Sequence, residues 1–224
     1  MGYFLQNQHI NISLTMKKNL FCFCLLFISM ATFSQTLLFK DYISAFPNIT
    51  TDSIHTTDFL SIKWNIGNCI KSPIVNQYVL KDDCGCNPNQ LRYYYGKKIV
   101  LDNYIIVLMY KHCDLVKYVG YPYQENLIIT YTKSGKVIDS KPVTREGDPW
   151  CFNLTGTVKP FKLVVEQATA VSNDAISSGI IKSTINTYSY TIDKNGFIIQ
   201  VFLKNRDGGI YFDKVSNSAR IVKK

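Results

Sequence analysis

Cysteine is the residue type whose number and spacing suggest the most distinctive chemistry in this chain. Five cysteines follow the N-terminal segment: Cys69, Cys84, Cys86, Cys113 and Cys151. In an exported protein they favour two disulfides and one remaining thiol, and the sequence leaves the pairing open. A bridge between Cys84 and Cys86 would be strained, so we expect this loop to be tied to Cys69 or Cys113 instead.

A metal site is the alternative use of the same side chains. It would be built from Cys84, Cys86, Cys113 and His112. The single residue between Cys84 and Cys86 departs from the Cys-x₂₋₄-Cys spacing of zinc knuckles. We therefore expect disulfides, and neither a metal nor another cofactor.

The sequence contains few residues in an arrangement suited to catalysis. His112 and Cys113 could form a base and a nucleophile, but neighbours on a strand point to opposite faces. The chain has three glutamates, and its aspartates lie mostly at turns. No nucleophile elbow, metalloprotease helix or phosphate loop is present. Residues 193–196 and 205–208 resemble pieces of calcium loops without the distal glutamate, so we interpret both as hairpin turns. The sequence favours a non-enzymatic protein.

Aromatic side chains are the best candidates for a binding surface. Tyr118, Tyr121 and Tyr123 fall in one predicted loop, and Trp150 falls in another. Exposed aromatic rings stack on sugars or anchor protein partners. The competing interpretation is that these rings cap the ends of a β core. We predict a contact surface made of these four residues.

The positive charge does not point to nucleic acid. The formal charge is +9, but only four of the 25 basic residues are arginine. Proteins that recognise a nucleic-acid sequence favour arginine, whose guanidinium can donate two parallel hydrogen bonds to a base. The lysines of this chain are instead scattered singly or in pairs. No nucleic-acid-binding motif is present. We expect solvated lysines on strand faces and no nucleic-acid partner.

The N-terminus has the pattern of a secretory signal peptide. Residues 1–34 contain no acidic residue, and Lys17-Lys18 precedes an apolar run at residues 20–30. Small residues at Thr32 and Ser34 fit cleavage before Gln35. The apolar run is shorter than the roughly 20 residues that span a bilayer. We expect an exported protein, periplasmic or extracellular, with no transmembrane span after cleavage and with Met16 as the true start.

The remaining chain predicts an all-β fold with minor helix. We expect 35–90 to form a helix and loop segment packed on a β domain at 91–224, so that 35–224 is one domain. Helices are predicted before Pro47 and at Ser72-Pro73, where Ser72 is the N-cap. A further strand is predicted at 59–64, and an exposed loop or short helix at 168–183.

From residue 91 onward, short strands alternate with turns. Glycine turns at 133–135 and 193–196 define two hairpins. The runs 104–110 and 197–203 are almost continuously apolar, which predicts central strands covered on both faces. The result is an antiparallel meander forming a sandwich, an open curved sheet or a small barrel.

Several of these segments together resemble uncharacterised secreted β-rich proteins of Bacteroidota. They are the signal ending Phe33-Ser34-Gln35, the segment from Phe39 to Pro47, the helix start at Ser72-Pro73-Ile74, and the hairpins at Gly135 and Gly196. The resemblance brings no activity with it. We expect an exported, non-enzymatic binding or interaction protein of the bacterial cell envelope, with an unknown protein or glycan partner. The alternatives are a lipocalin-like small-ligand carrier and a polysaccharide-directed hydrolase.

Overall fold

The computed structural model describes residues 38–60, 69–79, 86, 90–114, 123–146, 150–171, 180–213 and 218–222. The chain divides into two compact units, Met1–Ile43 and Ser44–Lys224. The first described element is the helix α1, which spans residues 38–44 and therefore lies in the first unit except for its last residue. Phe39, Tyr42 and Ile43 recur on one helical face and are buried. The helix predicted before Pro47 is confirmed.

The second unit is mostly β, as predicted, and contains two antiparallel sheets. Its elements in chain order are β1 (Ser53–Ile54), the 3-10 turn η1 (Thr56–Phe59), α2 (Ser72–Tyr78), β2 (Leu91–Val100), β3 (Tyr104–Cys113), β4 (Tyr123–Thr132), β5 (Val137–Glu146), β6 (Trp150–Thr157), β7 (Lys162–Ala170), β8 (Ile180–Ile192), β9 (Ile198–Asp213) and β10 (Ser218–Val222). One sheet has the order β2-β3-β4-β5, and the other has the order β1-β6-β7-β8-β9-β10.

The four-stranded sheet is organised around β3. All ten residues of this strand are buried, which confirms the prediction for the run at 104–110. β2 and β4 pair along both of its sides, so its main chain is hydrogen-bonded in both directions. The hydroxyl of Tyr131 on β4 donates to the carbonyl of Tyr78 at the end of α2 over 2.7 Å.

The two sheets pack face to face around one apolar core. Its buried members come from both sheets and include Ile106, Leu108, Ile128, Leu154, Leu163 and Val165. This filled interior makes the fold a sandwich. The six-stranded sheet also curls so that β10 contacts β6, around a smaller core of Cys151, Ala168, Ile185 and Ile210.

Both predicted glycine hairpins are confirmed. Gly135 and Gly196 have φ values of 95° and 91°, which favour glycine because it has no Cβ. In the second turn, Oδ1 of Asp193 accepts hydrogen bonds from the N–H groups of Asn195 and Phe197. These turns set the registers of β4 with β5 and of β8 with β9.

The prediction that residues 197–203 form a strand covered on both faces is wrong. Phe197, Ile199, Val201, Phe202 and Leu203 are 45–53% exposed. The run is nearly as apolar as residues 104–110 of β3, but β10 pairs with β9 only from Gly209 to Asp213. Over residues 198–208 the described strands therefore cover one side of β9 only.

The turn predicted at residues 205–208 is also wrong, because β9 continues through it to Asp213. Gly208 and Gly209 are needed for close packing rather than for a turn. A Cβ at Gly208 would collide with the side chain of Ile185, and one at Gly209 with that of Ile180. Glycine in a strand interior often marks such a close approach.

Three smaller predictions change in detail. The N-cap of α2 is Lys71, and Ser72 is already helical with proline in the first turn. Phe59 ends η1 rather than beginning a strand, and residues 61–68 lie outside the described residues. The predicted loop at 168–183 is strand at both ends, since β7 runs to Ala170 and β8 begins at Ile180.

Candidate functional site

The predicted aromatic surface lies only partly within the described residues. Tyr118 and Tyr121 lie outside them. Tyr123 and Trp150 are the first residues of β4 and β6, where they pair with Cys113 and Thr169. Their backbones are therefore in strands rather than in loops, and the proposed contact surface stays a prediction.

One disulfide selects Cys113 from the two partners, Cys69 and Cys113, that the sequence left open for Cys84 and Cys86. Cys86 and Cys113 are bonded, with their Cα atoms 6.2 Å apart. Cys113 is the last residue of β3, so the bridge ties Cys86 to an inner strand of the four-stranded sheet. Cys69 is half-buried, Cys151 is buried, and Cys84 lies outside the described residues.

The disulfide also removes the thiol that a catalytic His112–Cys113 pair would need. Nε2 of His112 instead lies 3.0 Å from Oδ1 of Asp114. The other carboxylate oxygen of Asp114 accepts a hydrogen bond of 2.8 Å from Arg92. Within the described residues, no three metal-ligating side chains are close enough to hold an ion.

A groove of about 370 Å³ lies between the two sheets. We call it the inter-sheet groove. The side of the four-stranded sheet contributes Glu125, Pro142, Val143, Thr144 and Arg145, and the opposing face contributes Gln167, Thr169, Tyr188, Tyr190 and Gln200. The groove exists because β5, the edge strand of its sheet, lies over the six-stranded sheet, where it contacts β6, β7 and β9.

Side-chain bridges join the sheets at both ends of the groove. At one end, Oδ2 of Asp139 accepts a 2.9 Å hydrogen bond from the N–H of Ile198. At the other end, the Gln167 amide accepts from the N–H of Arg145 over 3.0 Å and donates to its carbonyl over 2.7 Å. Gln167 thus supplies hydrogen bonds to the main chain at the edge of β5, as a neighbouring strand would. Pro142 to Thr144 are held between these two bridges.

A charged ladder lies next to the groove. Lys111, Glu125 and Arg145 occupy matching positions on β3, β4 and β5. Nζ of Lys111 is 2.8 Å from Oε2 of Glu125, and the Arg145 guanidinium donates to Oε1 from Nε and Nη2. The side chains of Lys111 and Glu125 are 0% and 1% exposed, whereas that of Arg145 is 49% exposed. The formal charges of the ladder sum to +1, and its solvent-facing member, Arg145, lines the groove.

Two tyrosines form the opposite wall. Tyr188 and Tyr190 are two residues apart on β8 and therefore share a face. Burial, and to a lesser extent Tyr188, raise the pKa of Tyr190 to about 12. Its hydroxyl is therefore protonated at neutral pH and can donate a hydrogen bond. The Tyr188 ring packs edge-on against Phe202, with centroids 5.7 Å apart.

A second cleft of about 280 Å³ lies on the other side of Thr144. Its lining comes from η1, the two sheets and Leu60, and includes Thr56, Thr57, Tyr110, Asn126 and Phe152. Glu125 and Thr144 line both cavities. The inter-sheet groove has the stronger set of recognition groups, because it adds an exposed guanidinium and the exposed side chain of Gln200.

The groove is not predicted from the sequence. The alternation Thr-Tyr-Ser-Tyr at residues 187–190 places both rings on one face, and this signal was present in the sequence. The position of β5 opposite that face depends on how the sheets pack, which no local pattern reports.

Comparison with known proteins adds no relative: no family model matches the chain, and neither a curated protein nor a solved structure shows significant similarity to it. Fold and site therefore define its class on their own, as an antiparallel β-sandwich with a polar, aromatic-lined groove between the sheets. None of the helices that the structure describes has the length and hydropathy needed to cross a membrane.

Proposed function

We propose that this chain is an exported, non-enzymatic binding protein of the bacterial cell envelope, and that it binds a glycan in the inter-sheet groove. The observation that supports this proposal is the combination of Tyr188, Gln200 and Arg145 around one cavity of about 370 Å³. That volume lies in the range of small-molecule sites, about 300–1,000 Å³.

The chemistry of the lining suits a sugar. An aromatic ring offers an apolar face to the C–H side of a pyranose. The amide of Gln200 and the Tyr190 hydroxyl supply donors and acceptors for sugar hydroxyls. Arg145 adds donors that cannot be lost by deprotonation. A ligand that uses all of these groups has one flat apolar face and several hydroxyls, as a saccharide does.

Hydrolysis is less well supported than binding. Glycosidases use two carboxylates on either side of the scissile bond, one of which must be free to give up or take a proton. Among the described residues that line the groove, the carboxylate is Glu125. Its two oxygens are held by Lys111 and Arg145. Such a carboxylate is built to position cations, so we do not assign it an acid–base role.

A lipocalin-like carrier is also less well supported. Carriers of that type hold an apolar ligand inside a closed barrel. Here the space between the sheets is filled by the side chains of the core, including Ile106, Leu108 and Leu163. The groove lies beside this core and is lined in large part by polar groups.

Export is supported by two features that are independent of the groove. The N-terminal segment has the charge and apolar pattern of a signal peptide. The disulfide between Cys86 and Cys113 fits an oxidising compartment. An envelope or extracellular location also gives a glycan-binding protein access to polysaccharides.

The test is a binding screen with the purified chain that begins at Gln35. A panel of bacterial and plant oligosaccharides would be screened by saturation-transfer NMR, and any hit measured by calorimetry. We expect Gln200→Ala to weaken a hit about tenfold, which corresponds to loss of about 1.4 kcal/mol. Gln77→Ala, an exposed glutamine on α2, is the matched control and should not change affinity. Equal affinities of the two variants, or no hit at all, would refute the proposal.

A further inference from the structure

The cleft of about 280 Å³ beside Thr144 is lined by two side-chain amides of one strand. Gln124 and Asn126 are two residues apart on β4, so their side chains lie on the same face of the four-stranded sheet. Tyr110 on β3 and Thr144 on β5 pair with Asn126 from either side. All four residues line the cleft, so this face of the sheet, with the Asn126 side chain, is directed into it.

Asn126 is the most informative of these residues, because it is only 3% exposed. Its main-chain N–H donates to Oγ1 of Thr144 over 3.2 Å, but within the part of the chain that the structure describes its side-chain amide has no hydrogen-bond partner. Buried polar side chains in proteins are nearly always hydrogen-bonded. A buried amide that opens onto a cleft without a protein partner is therefore available to a ligand with a complementary donor or acceptor.

The rest of the lining narrows this ligand to a group that is itself an amide with an apolar end. The N–H and C=O of a planar trans amide point in opposite directions, so an acetamido group needs two separate partners. Asn126 can bond one of these groups, and the Gln124 amide or the Thr144 hydroxyl can bond the other. Leu60 and Phe152 supply apolar surface for the methyl group.

The position of the cleft links it to the inter-sheet groove. Glu125 and Thr144 line both cavities, so the cleft and the groove lie on either side of the same short stretch of sheet. The volume of the cleft, about 280 Å³, is just below the range of small-molecule sites, about 300–1,000 Å³. Such a volume suits one sugar unit, with the next unit of the same chain in the groove.

We propose that the cleft is a subsite for an N-acetylated sugar unit whose acetamido group is bonded by Asn126. This inference rests on the proposed glycan-binding function, and it names the class of ligand: an oligosaccharide that contains an N-acetylhexosamine. The amide of Asn126 then serves recognition rather than folding, because it has no bond to lose when the ligand is absent.

Paired probes test the class of ligand. The pairs are the methyl glycosides of N-acetylglucosamine and glucose, those of N-acetylgalactosamine and galactose, and N,N′-diacetylchitobiose with cellobiose. Members of a pair differ in whether an acetamido group or a hydroxyl is attached to the second ring carbon. In saturation-transfer NMR with the chain that begins at Gln35, we expect the N-acetylated member of at least one pair to bind about tenfold more tightly. Its acetyl methyl protons should receive the strongest saturation.

The outcomes of this comparison separate the subsite from the function on which it rests. Saccharides that bind with equal affinity within every pair would overturn the subsite and leave the glycan proposal standing. Binding of no saccharide would overturn both.

Substitution of Asn126 separates recognition from folding. Asn126→Leu and the smaller Asn126→Ala both remove the amide, and we expect thermal unfolding to be little changed because that amide has no protein partner to leave unpaired. Both variants should lose the preference for the N-acetylated probe. Asn205→Leu, on the exposed part of β9 and outside both cavities, is the matched control and should keep it. A preference that both Asn126 variants keep, or a marked loss of stability in both, would overturn this role of the amide.

Discussion

β3 and β9 look alike in sequence and differ completely in environment. Residues 104–110 of β3 and residues 197–203 are both almost continuously apolar, and on that basis both are predicted to be central strands. β3 is buried over its whole length, whereas the corresponding part of β9 is half-exposed. The difference comes from their neighbours: β3 is paired on both sides, and β9 is paired on one side until Gly209. An apolar run shows that a strand is suited to burial on both faces. Whether the strand is in fact buried depends on which elements the topology places beside it.

The same contrast applies to the charges. In the four-stranded sheet Glu125 is buried between Lys111 and Arg145. In the six-stranded sheet Glu166 pairs with Arg206 at 3.0 Å, and both side chains are 20–25% exposed. Buried charges depend on their partners, because water cannot replace them. Substitutions of the same type in the two sheets should therefore have different effects.

The largest effect is expected from the glutamates. Glu125→Gln leaves the fully buried ammonium of Lys111 without a full counter-charge and should lower the free energy of unfolding by about 3–5 kcal/mol. Glu166→Gln should cost less than about 1 kcal/mol, because water screens that pair. Urea denaturation of both variants measures the difference. Equal losses would show that the two pairs are buried alike.

Paired leucine substitutions test the apolar side of the comparison. Leu108 on β3 is 0% exposed and belongs to the core, whereas Leu203 on β9 is 51% exposed. Leu108→Ala should destabilise the fold by about 3 kcal/mol through lost burial and a residual cavity. Leu203→Ala should change stability by no more than about 0.5 kcal/mol. A large loss at Leu203 in a dilute, monomeric sample would mean that β9 is covered within one chain.

The strands and turns of the fold could largely be predicted from sequence. Gly135 and Gly196 supply the positive φ that hairpin turns require, so the sequence predicts both hairpins correctly. It does not predict the length of β9, because the Asp-Gly pair at 207–208 has the composition of a turn. The glycines are there because Ile185 and Ile180 fill the space of a side chain, and that reason appears only in three dimensions.

The candidate site could be predicted less well. Lys111, Glu125 and Arg145 become neighbours through the registers of β3 with β4 and of β4 with β5. The sequence of residues 115–122 does not indicate how β3 and β4 align. The groove needs in addition that β5 borders the same cavity as Tyr188 and Tyr190 of β8. Sequence patterns report which face a residue is on, and a site between two sheets depends on which faces meet.

Gly208 tests how tightly the curled part of β9 is packed, in contrast to its exposed part. Gly208→Ala should destabilise the fold by about 2 kcal/mol, because the added Cβ overlaps the Ile185 side chain. Asn205→Ala, on the exposed part of the same strand, should change stability by no more than about 0.5 kcal/mol. Thermal unfolding of both variants provides the measurement. A Gly208→Ala protein as stable as the parent would show that Ile185 can move aside.

The smallest effect on stability is expected from two glutamines: Gln167, which joins the two sheets, and Gln200, which lines the groove between them. Gln167→Ala removes the amide that bonds both main-chain groups of Arg145, and it should cost about 1 kcal/mol because water can reach much of this edge. Gln200→Ala, at the other wall, should leave the urea midpoint unchanged, since that side chain is exposed. Amide hydrogen exchange at Arg145 should accelerate in the Gln167 variant alone. If exchange there is unchanged, β5 is held to the six-stranded sheet by its other contacts and the Gln167 bridge is not needed.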